Sequence, residues 1–135
     1  MALYVLNACA MLAFLYAEPG GDVVRDILLD DVHTCVAHTG NMCEVYSNIL
    51  RIDGRDAAER CCADLESAGL QVVEPPDSAV WKRAAQIKVS PGHLSVCDCF
   101  ALALAEDIGG TLLTSDHHDL DRVVPYGIAP IQFIR

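Results

Sequence analysis

Acidic side chains that could hold a metal ion stand at the starts of predicted helices in this sequence. Asp98 follows Ser95 at the spacing of a helix N-cap and its third helical residue, so it lies in a first turn. Asp116 and Asp119 follow a short predicted strand, residues 111–114. Crowded carboxylates repel one another and raise their own pKa values unless a cation neutralises them. The pattern therefore predicts a site for a hard divalent ion, Mg²⁺ or Mn²⁺.

Two further polar residues join this set from distant parts of the chain. Asn7 ends the first predicted strand, and Glu44 lies early in a helix predicted over residues 42–52 with Asn41 as its N-cap. Helix capping alone accounts for each acid taken singly. Capping does not require all these helices to begin at the same end of a sheet, and that joint placement favours a shared site.

Strands alternating with helices must position these residues. The predicted strands are residues 3–6, 34–37, 70–73, 111–114 and 131–134, and the predicted helices are residues 8–16, 22–29, 42–52, 55–68, 95–108 and 120–123, with another that begins at Asp77 after Pro75 and Pro76. This alternation predicts an α/β fold with a mainly parallel sheet of four to five strands and helices on both faces. The carboxyl ends of such strands meet at one edge, where ligands bind.

Bulk composition limits the function classes. The 135 residues predict a single domain over residues 1–135, and 53% hydrophobic content is enough to fill a core. A net charge of −10 argues against a broad basic face for nucleic acid, although a bound metal can supply the positive charge. Seven cysteines without a regular framework indicate reduced thiols in a cytosolic protein.

The apolar first sixteen residues do not predict a signal peptide or membrane anchor. No Lys or Arg precedes the run, Asn7 interrupts it, and it is shorter than the roughly 20 residues that a span needs. We therefore interpret it as a strand followed by a helix, and expect no membrane association.

Five segments along the whole chain carry a family resemblance. They are YVLNACA, NMCEV, SVCDCFALALA, LLTSDHHDLDRV and the closing FIR. On these segments the chain resembles the PIN-domain ribonucleases, and among them the VapC-type toxins of bacterial toxin–antitoxin pairs. The resemblance implies a three-layer sandwich and metal-dependent endoribonuclease activity. It assigns metal binding to Glu44, Asp98 and Asp116, with Asp119 as an accessory acid and Thr114 supporting them.

One position departs from the family pattern. Where the family has its first acid, this chain has Asn7. An amide is neutral and presents NH₂ donors where a carboxylate presents oxygens. We therefore expect Asn7 to occupy this catalytic and metal-binding position, beside Glu44, Asp98 and Asp116, and catalysis to be weak or absent.

The resemblance also implies partners and a location. It predicts an RNA substrate, a cognate antitoxin with a basic C-terminal segment, a cytoplasmic location and a homodimer formed through Ile49 and the helix at residues 55–65. The best candidates for phosphate contacts are basic side chains that could equally form a solvated helix face: Arg51, Lys82, Arg83 and Lys88. We interpret Trp81 as a core anchor rather than a base-stacking residue.

Other functions fit less well. A phosphatase with an aspartyl nucleophile needs Asp-x-Asp after the first strand, where this chain has Asn-Ala-Cys. A receiver domain needs paired acids early in the chain and a lysine after its last strand, and this chain has neither. A zinc site would need Cys97 and Cys99 to converge, but they lie about 200° apart around a helix. His117 and His118 are predicted to be solvated loop residues. The main alternative is a non-catalytic PIN-like module whose acidic pocket binds a basic peptide.

Overall fold

The computed structural model describes residues 2–75 and 78–135. Its elements follow in the order β1 (Leu3–Leu6), α1 (Ala8–Leu15), α2 (Gly21–Leu29), β2 (Thr34–His38), α3 (Thr39–Asp53), α4 (Arg55–Ser67), β3 (Gln71–Val73), α5 (Ala79–Val89), α6 (Val96–Ile108), β4 (Thr111–Thr114), α7 (His117–Leu120), a 3₁₀ helix (Val124–Tyr126) and β5 (Ile131–Phe133). The predicted roles of Pro76 and Asp77 lie outside the described residues.

The five strands form one sheet in the order β3-β2-β1-β4-β5, and every neighbouring pair is parallel. The predicted fold class is therefore confirmed. The chain runs from β1 outward through β2 and β3, then returns to place β4 on the other side of β1. Because strand order reverses beside β1, the carboxyl ends of β1 and β4 open into the crevice where such sheets bind ligands.

Helices cover both faces of the sheet, as alternating strand side chains require. Leu6 and Leu113 pack into a core with α1 to α4, whereas their neighbours Val5 and Leu112 pack into a second core with α5 and α6. Strand residues buried on both faces are typical of a parallel sheet enclosed by helices. The predicted three-layer sandwich is confirmed.

The start of α3 differs from the prediction. His38, the last residue of β2, is the N-cap: its Nδ1 accepts a hydrogen bond from the Gly40 amide at 2.9 Å, and its ring stacks on Phe100 with centroids 4.5 Å apart. Burial lowers the pKa of His38, which favours the neutral ring that can accept this bond. The prediction of Asn41 as the cap is wrong, since the helix already begins at Thr39. Histidine is an uncommon N-cap, which is why the sequence pattern favoured asparagine.

The segment after β4 also differs. A helix occupies His117–Leu120, earlier than the predicted residues 120–123, so the prediction of His117 and His118 as loop residues is wrong. His117 stacks on Phe133 at 3.9 Å between centroids, and its two ring nitrogens contact Asp121 and the Arg135 carbonyl. His117 therefore fastens α7 to the last strand.

Two predictions about apolar side chains are wrong. Ile49 is 0% exposed within the core, so it cannot belong to a dimer surface, and Trp81 is 54% exposed rather than a core anchor. Both faces of α3 and α5 carry apolar residues, and only tertiary packing decides which of them is covered. None of the helices within residues 2–75 and 78–135 is long and apolar enough to cross a bilayer.

Candidate metal centre

Asn7 sits at the carboxyl end of the central strand and caps α1. Its Oδ1 accepts a hydrogen bond from the Ala10 amide at 3.1 Å. A backbone N–H can only donate, so this bond fixes the amide orientation. The Nδ2 group then donates to Thr114 Oγ1 at 2.8 Å and approaches Asp98 Oδ1 at 3.4 Å. Residue 7 therefore presents a hydrogen-bond donor, and no oxygen ligand, to Asp98.

Asp98 is placed by the cap of α6. The Ser95 hydroxyl accepts a hydrogen bond from the Asp98 amide at 3.1 Å, as the sequence spacing predicts, and the carboxyl group lies in the first turn. The pKa of Asp98 is raised to about 6, chiefly by burial and also by the charges of Glu44 and Asp116, against the opposing effect of hydrogen bonds from Ser95 and Asn7. A carboxyl group held this way gains from a nearby cation.

Thr114 joins the ends of β1 and β4. Its Oγ1 accepts from both Asn7 Nδ2 and the Asp116 amide, the latter at 3.0 Å. Asp116 then caps α7, since its Oδ1 accepts from the Asp119 amide at 3.1 Å. Local hydrogen bonds thus aim both aspartates at the same edge of the sheet.

Three of the predicted metal ligands converge. One carboxylate oxygen from each of Asp98, Asp116 and Asp119 lies within 4.8 Å of the others. This is the one group of at least three potential ligands with that spacing among residues 2–75 and 78–135, and it excludes Cys97, Cys99 and the histidines. An all-carboxylate donor set fits Mg²⁺ or Mn²⁺ and gives no support to a zinc site.

Glu44 stands outside this group of three, on the second turn of α3. It is exposed, yet its charge raises the pKa of Asp98, which places it at the rim of the same cluster. Desolvation raises the pKa of Glu44, and a hydrogen bond with Cys97 acts in the opposite direction. Nearby Asn41 is buried and links α3 to α6 through a 3.3 Å bond to the Cys97 carbonyl.

Two thiols lie near the cluster: Cys97, which the sequence analysis considered only as a zinc ligand, and Cys9, which it did not consider. The pKa values of Cys9 and of Cys97 are each raised to about 11, chiefly by burial and also by the charges of Asp98 and Glu44. Both cysteines are therefore neutral near pH 7 and add no charge to the carboxylates. The position of Cys9, two residues after Asn7, was the available signal.

The four predicted phosphate contacts lie on α3 and α5 and have intramolecular partners. Arg51 donates to Asn48, Arg83 pairs with Glu106 at 2.7 Å, and Lys88 donates to the Leu94 carbonyl at 2.5 Å. Lys82 lies 5.6 Å from the centroid of the Trp81 ring. Their role in RNA binding stays a prediction.

The hydroxyl of Thr114 carries a testable prediction. Thr114→Val removes the acceptor for two donors in a position that is 0% exposed, and an unpaired buried donor costs about 1–3 kcal/mol. We expect the free energy of unfolding, measured with urea, to fall by about that amount. Thr114→Ser keeps the hydroxyl and loses only a methyl, worth about 0.8 kcal/mol. Equal stability of the two variants would contradict this role.

The comparisons with known proteins follow from this fold and site. The sequence profile of the PIN domain matches residues 4–124. The chain belongs to the PIN domain family. No curated protein matches this PIN domain in sequence.

Solved structures share the fold at low identity. VapBC from Salmonella typhimurium bound to DNA matches this PIN domain with a TM-score of 0.78 and 12% identity, over 100% of both chains. VapBC2 from Rickettsia felis bound to a promoter DNA fragment matches with a TM-score of 0.72 and 12% identity, over 97% of this chain and 98% of the other. VapC20 from Mycobacterium tuberculosis, a sarcin–ricin loop cleaving toxin, matches with a TM-score of 0.70 and 14% identity, over 88% of this chain and 94% of the other. At these identities the likeness establishes the fold alone.

Proposed function

We propose that this PIN domain is the toxin of a toxin–antitoxin pair, built as a metal-dependent endoribonuclease and impaired by Asn7. The convergence of Asp98, Asp116 and Asp119 within 4.8 Å, at the carboxyl ends of β1 and β4, carries the proposal. The sarcin–ricin loop cleaving toxin with the same fold supports an RNA substrate. The absence of a broad basic face suits a nuclease in which an ion supplies the charge that meets phosphate.

The chemistry of the donor set fits Mg²⁺ or Mn²⁺. Asp98, Asp116 and Asp119 would hold the ion, and Glu44 would extend the acidic surface from the rim. When bound, such an ion neutralises phosphate charge and lowers the pKa of water enough to produce a nucleophile. The pKa of Asp98 is raised chiefly by burial and to a lesser extent by the charges of Glu44 and Asp116, so a nearby cation would favour its charged form.

The chain's own residues orient this site. Ser95 and Thr114 fix the backbone from which Asp98 and Asp116 project, and the Asp116 side chain in turn fixes Asp119. The first turns of α3 and α6 place positive helix-dipole ends at the same edge, where they favour phosphate. Asn7 would weaken metal binding, because its NH₂ group faces Asp98 where a carboxylate would add an oxygen ligand.

The proposed partners follow from the same surface. A cognate antitoxin with a basic C-terminal segment would place Arg or Lys against the acids, and the VapBC structures that share this fold support an antitoxin partner. We also propose a homodimer in the cytoplasm. Its interface would use exposed apolar residues of α3, such as Leu50 and Ile52, in place of the buried Ile49.

A second candidate function is a non-catalytic module that binds a basic antitoxin peptide. One observation favours it: the side chain of Asn7 has hydrogen-bond partners for both its oxygen and its nitrogen, so the neutral residue fits its site without strain. A guanidinium could then neutralise the aspartates in place of a metal.

The deciding experiment measures RNA cleavage by this chain and by Asn7→Asp, each with Mn²⁺ and with EDTA. Metal-dependent cleavage by the variant supports the nuclease. Absence of cleavage in all four samples, together with displacement of Mn²⁺ by an arginine-bearing peptide, supports the binding module. Cleavage that survives EDTA overturns the metal mechanism.

A further inference from the structure

An aromatic surface lies beside the acidic cluster, on the outer side of α6. Trp81 of α5 is 54% exposed, and Phe100 of α6 stacks on His38. Trp81 and Phe100 both line two adjoining hollows. One has about 260 Å³ and is completed by Ala84, Ala85, Lys88, Val96 and Cys99. The other has about 160 Å³ and is completed by His38, Glu74, Pro75 and Val80.

The charges around this surface are positive on the side of α5. The chain has two lysines in all, Lys82 and Lys88, and both are on this helix, which carries no Asp or Glu. Lys88 lines the larger hollow, and Lys82 lies 5.6 Å from the centroid of the Trp81 ring. In a chain of net charge −10, the larger hollow is lined by a lysine and by no Asp or Glu, so a polyanion meets positive charge there.

The size of the larger hollow indicates what fits. Its volume of about 260 Å³ is below the roughly 300–1,000 Å³ of pockets for drug-sized ligands. It is therefore too small to enclose a helical peptide, which is about 10–12 Å across. The hollow, which Trp81 and Phe100 help to line, has a volume suited to a single planar ring system. Aromatic faces combined with cations are the usual elements of single-stranded nucleic acid binding, in which bases stack and phosphates meet the basic side chains.

We propose that Trp81 and Phe100 form a stacking subsite for one base of single-stranded RNA, with Lys82 and Lys88 serving the adjacent phosphates. This rests on the proposed nuclease function and deepens it. Asp98 projects from the first turn of α6, while Val96, Cys99 and Phe100 of that helix wall the subsite. The two sites are thus separated by about the width of a helix, roughly 10 Å, which about three stacked nucleotides span at 3.4 Å each.

Trp81 is the only tryptophan of the chain, so its fluorescence reports the subsite directly. The experiment titrates the Asn7 protein with oligo(A) and oligo(U) RNA hexamers in Mg²⁺ at low salt. We expect saturable quenching of Trp81. Anisotropy of labelled hexamers should show Trp81→Ala binding about 5- to 150-fold more weakly, the range for loss of one stacked base. Trp81→Phe, which keeps a ring, should lose much less.

Two further variants serve as controls. Val89→Ala removes a side chain that is 84% exposed on the same helix and does not line the hollows, so it should leave RNA affinity unchanged. Lys82→Ala should weaken the binding of both hexamers alike and reduce the slope of log affinity against log salt concentration by about one. Near-identical thermal midpoints would show that each variant is folded.

The proposal is overturned if no hexamer quenches Trp81, or if Trp81→Ala binds RNA within twofold of the parent chain. The second result would assign the hollow to an apolar side chain of a protein partner. Failure of the proposed function looks different: quenching and the loss in Trp81→Ala would persist while Asn7→Asp cuts no RNA. Conversely, cleavage by Asn7→Asp that is unaffected by adding Trp81→Ala would reject the subsite alone.

Discussion

The Asn7→Asp variant is expected to cleave RNA in the presence of Mn²⁺ on the order of 100-fold faster than the Asn7 chain, because even indirect partners of metal ligands are worth about 10–100-fold. The Asn7 side chain already touches Asp98 and Thr114. A carboxylate in the same place would keep one oxygen on the Ala10 amide and turn the other toward the aspartates. The Thr114 hydroxyl can rotate to donate to it.

The same variant should be less stable without metal. Residue 7 is 0% exposed, and a new negative charge there would face the carboxylate of Asp98. We expect a lower thermal midpoint in EDTA and recovery in Mn²⁺, because a ligand that binds the folded state stabilises it.

Asn48→Asp is the matched control for charge. Asn48 lies on α3 beside Arg51, so this substitution adds the same charge without approaching the aspartates. It should alter neither cleavage nor the response of the thermal midpoint to Mn²⁺. Equal activation by both substitutions would contradict a specific role for position 7.

Asp98→Asn is expected to make the metal-free protein more stable at pH 7 by about 1–3 kcal/mol, since a shift of two pKa units corresponds to nearly 3 kcal/mol and solvent access reduces it. The pKa of Asp98 rises from 3.8 to about 6, with burial as its main cause. The folded protein therefore binds this proton more tightly than the unfolded chain does. Asparagine is nearly the same shape and carries no charge.

The sign of the pH dependence follows from this shift. The stability that comes from protonated Asp98 is fully present below about pH 4 and is lost as pH rises through about 6. The advantage of Asp98→Asn should therefore grow from pH 4 to pH 7 in urea titrations with EDTA. Added Mn²⁺ should reverse the order, because the parent chain keeps the ligand that binds the ion.

Asp107→Asn tests whether any acid on α6 would behave in this way. Asp107 is exposed near the end of the same helix, far from the cluster. Its substitution should change stability by less than about 0.5 kcal/mol, as surface changes do. A parent chain more stable than Asp98→Asn in EDTA at pH 7 would show that the buried charge of Asp98 does not destabilise the metal-free fold.

The parts of the fold set by local hydrogen bonds could be predicted from the sequence. Ser95 and Asp98 at capping spacing predicted the start of α6, and Asp116 with Asp119 fit the same pattern after β4. The convergence of these acids followed from the parallel sheet, since its strand ends share one edge. Glu44 was predicted in the first turn of α3 and as a ligand in that cluster, but it lies in the second turn and outside the group of three aspartates.

What the sequence could not reveal depends on contacts between distant segments. Ile49 and Trp81 are both apolar residues on amphipathic helices, yet one is fully buried and the other half exposed. Burial of Ile49 requires α4 to pack on α3, and no periodicity within α3 contains that information. His38 caps α3 because its ring is held against Phe100, a residue 62 positions away.

The closed set of hydrogen bonds around Asn7 bears on how much of this protein a cell would contain. Its oxygen serves Ala10 and its nitrogen serves Thr114, so the fold is complete without an ion. Protein abundance follows the folded fraction, which changes severalfold for 1–2 kcal/mol. The abundance of a chain with Asn7 should therefore vary less with the supply of divalent metal than that of a chain with aspartate at this position. The chain with aspartate would be degraded faster when metal is scarce, because its added charge then lacks a neutralising ion.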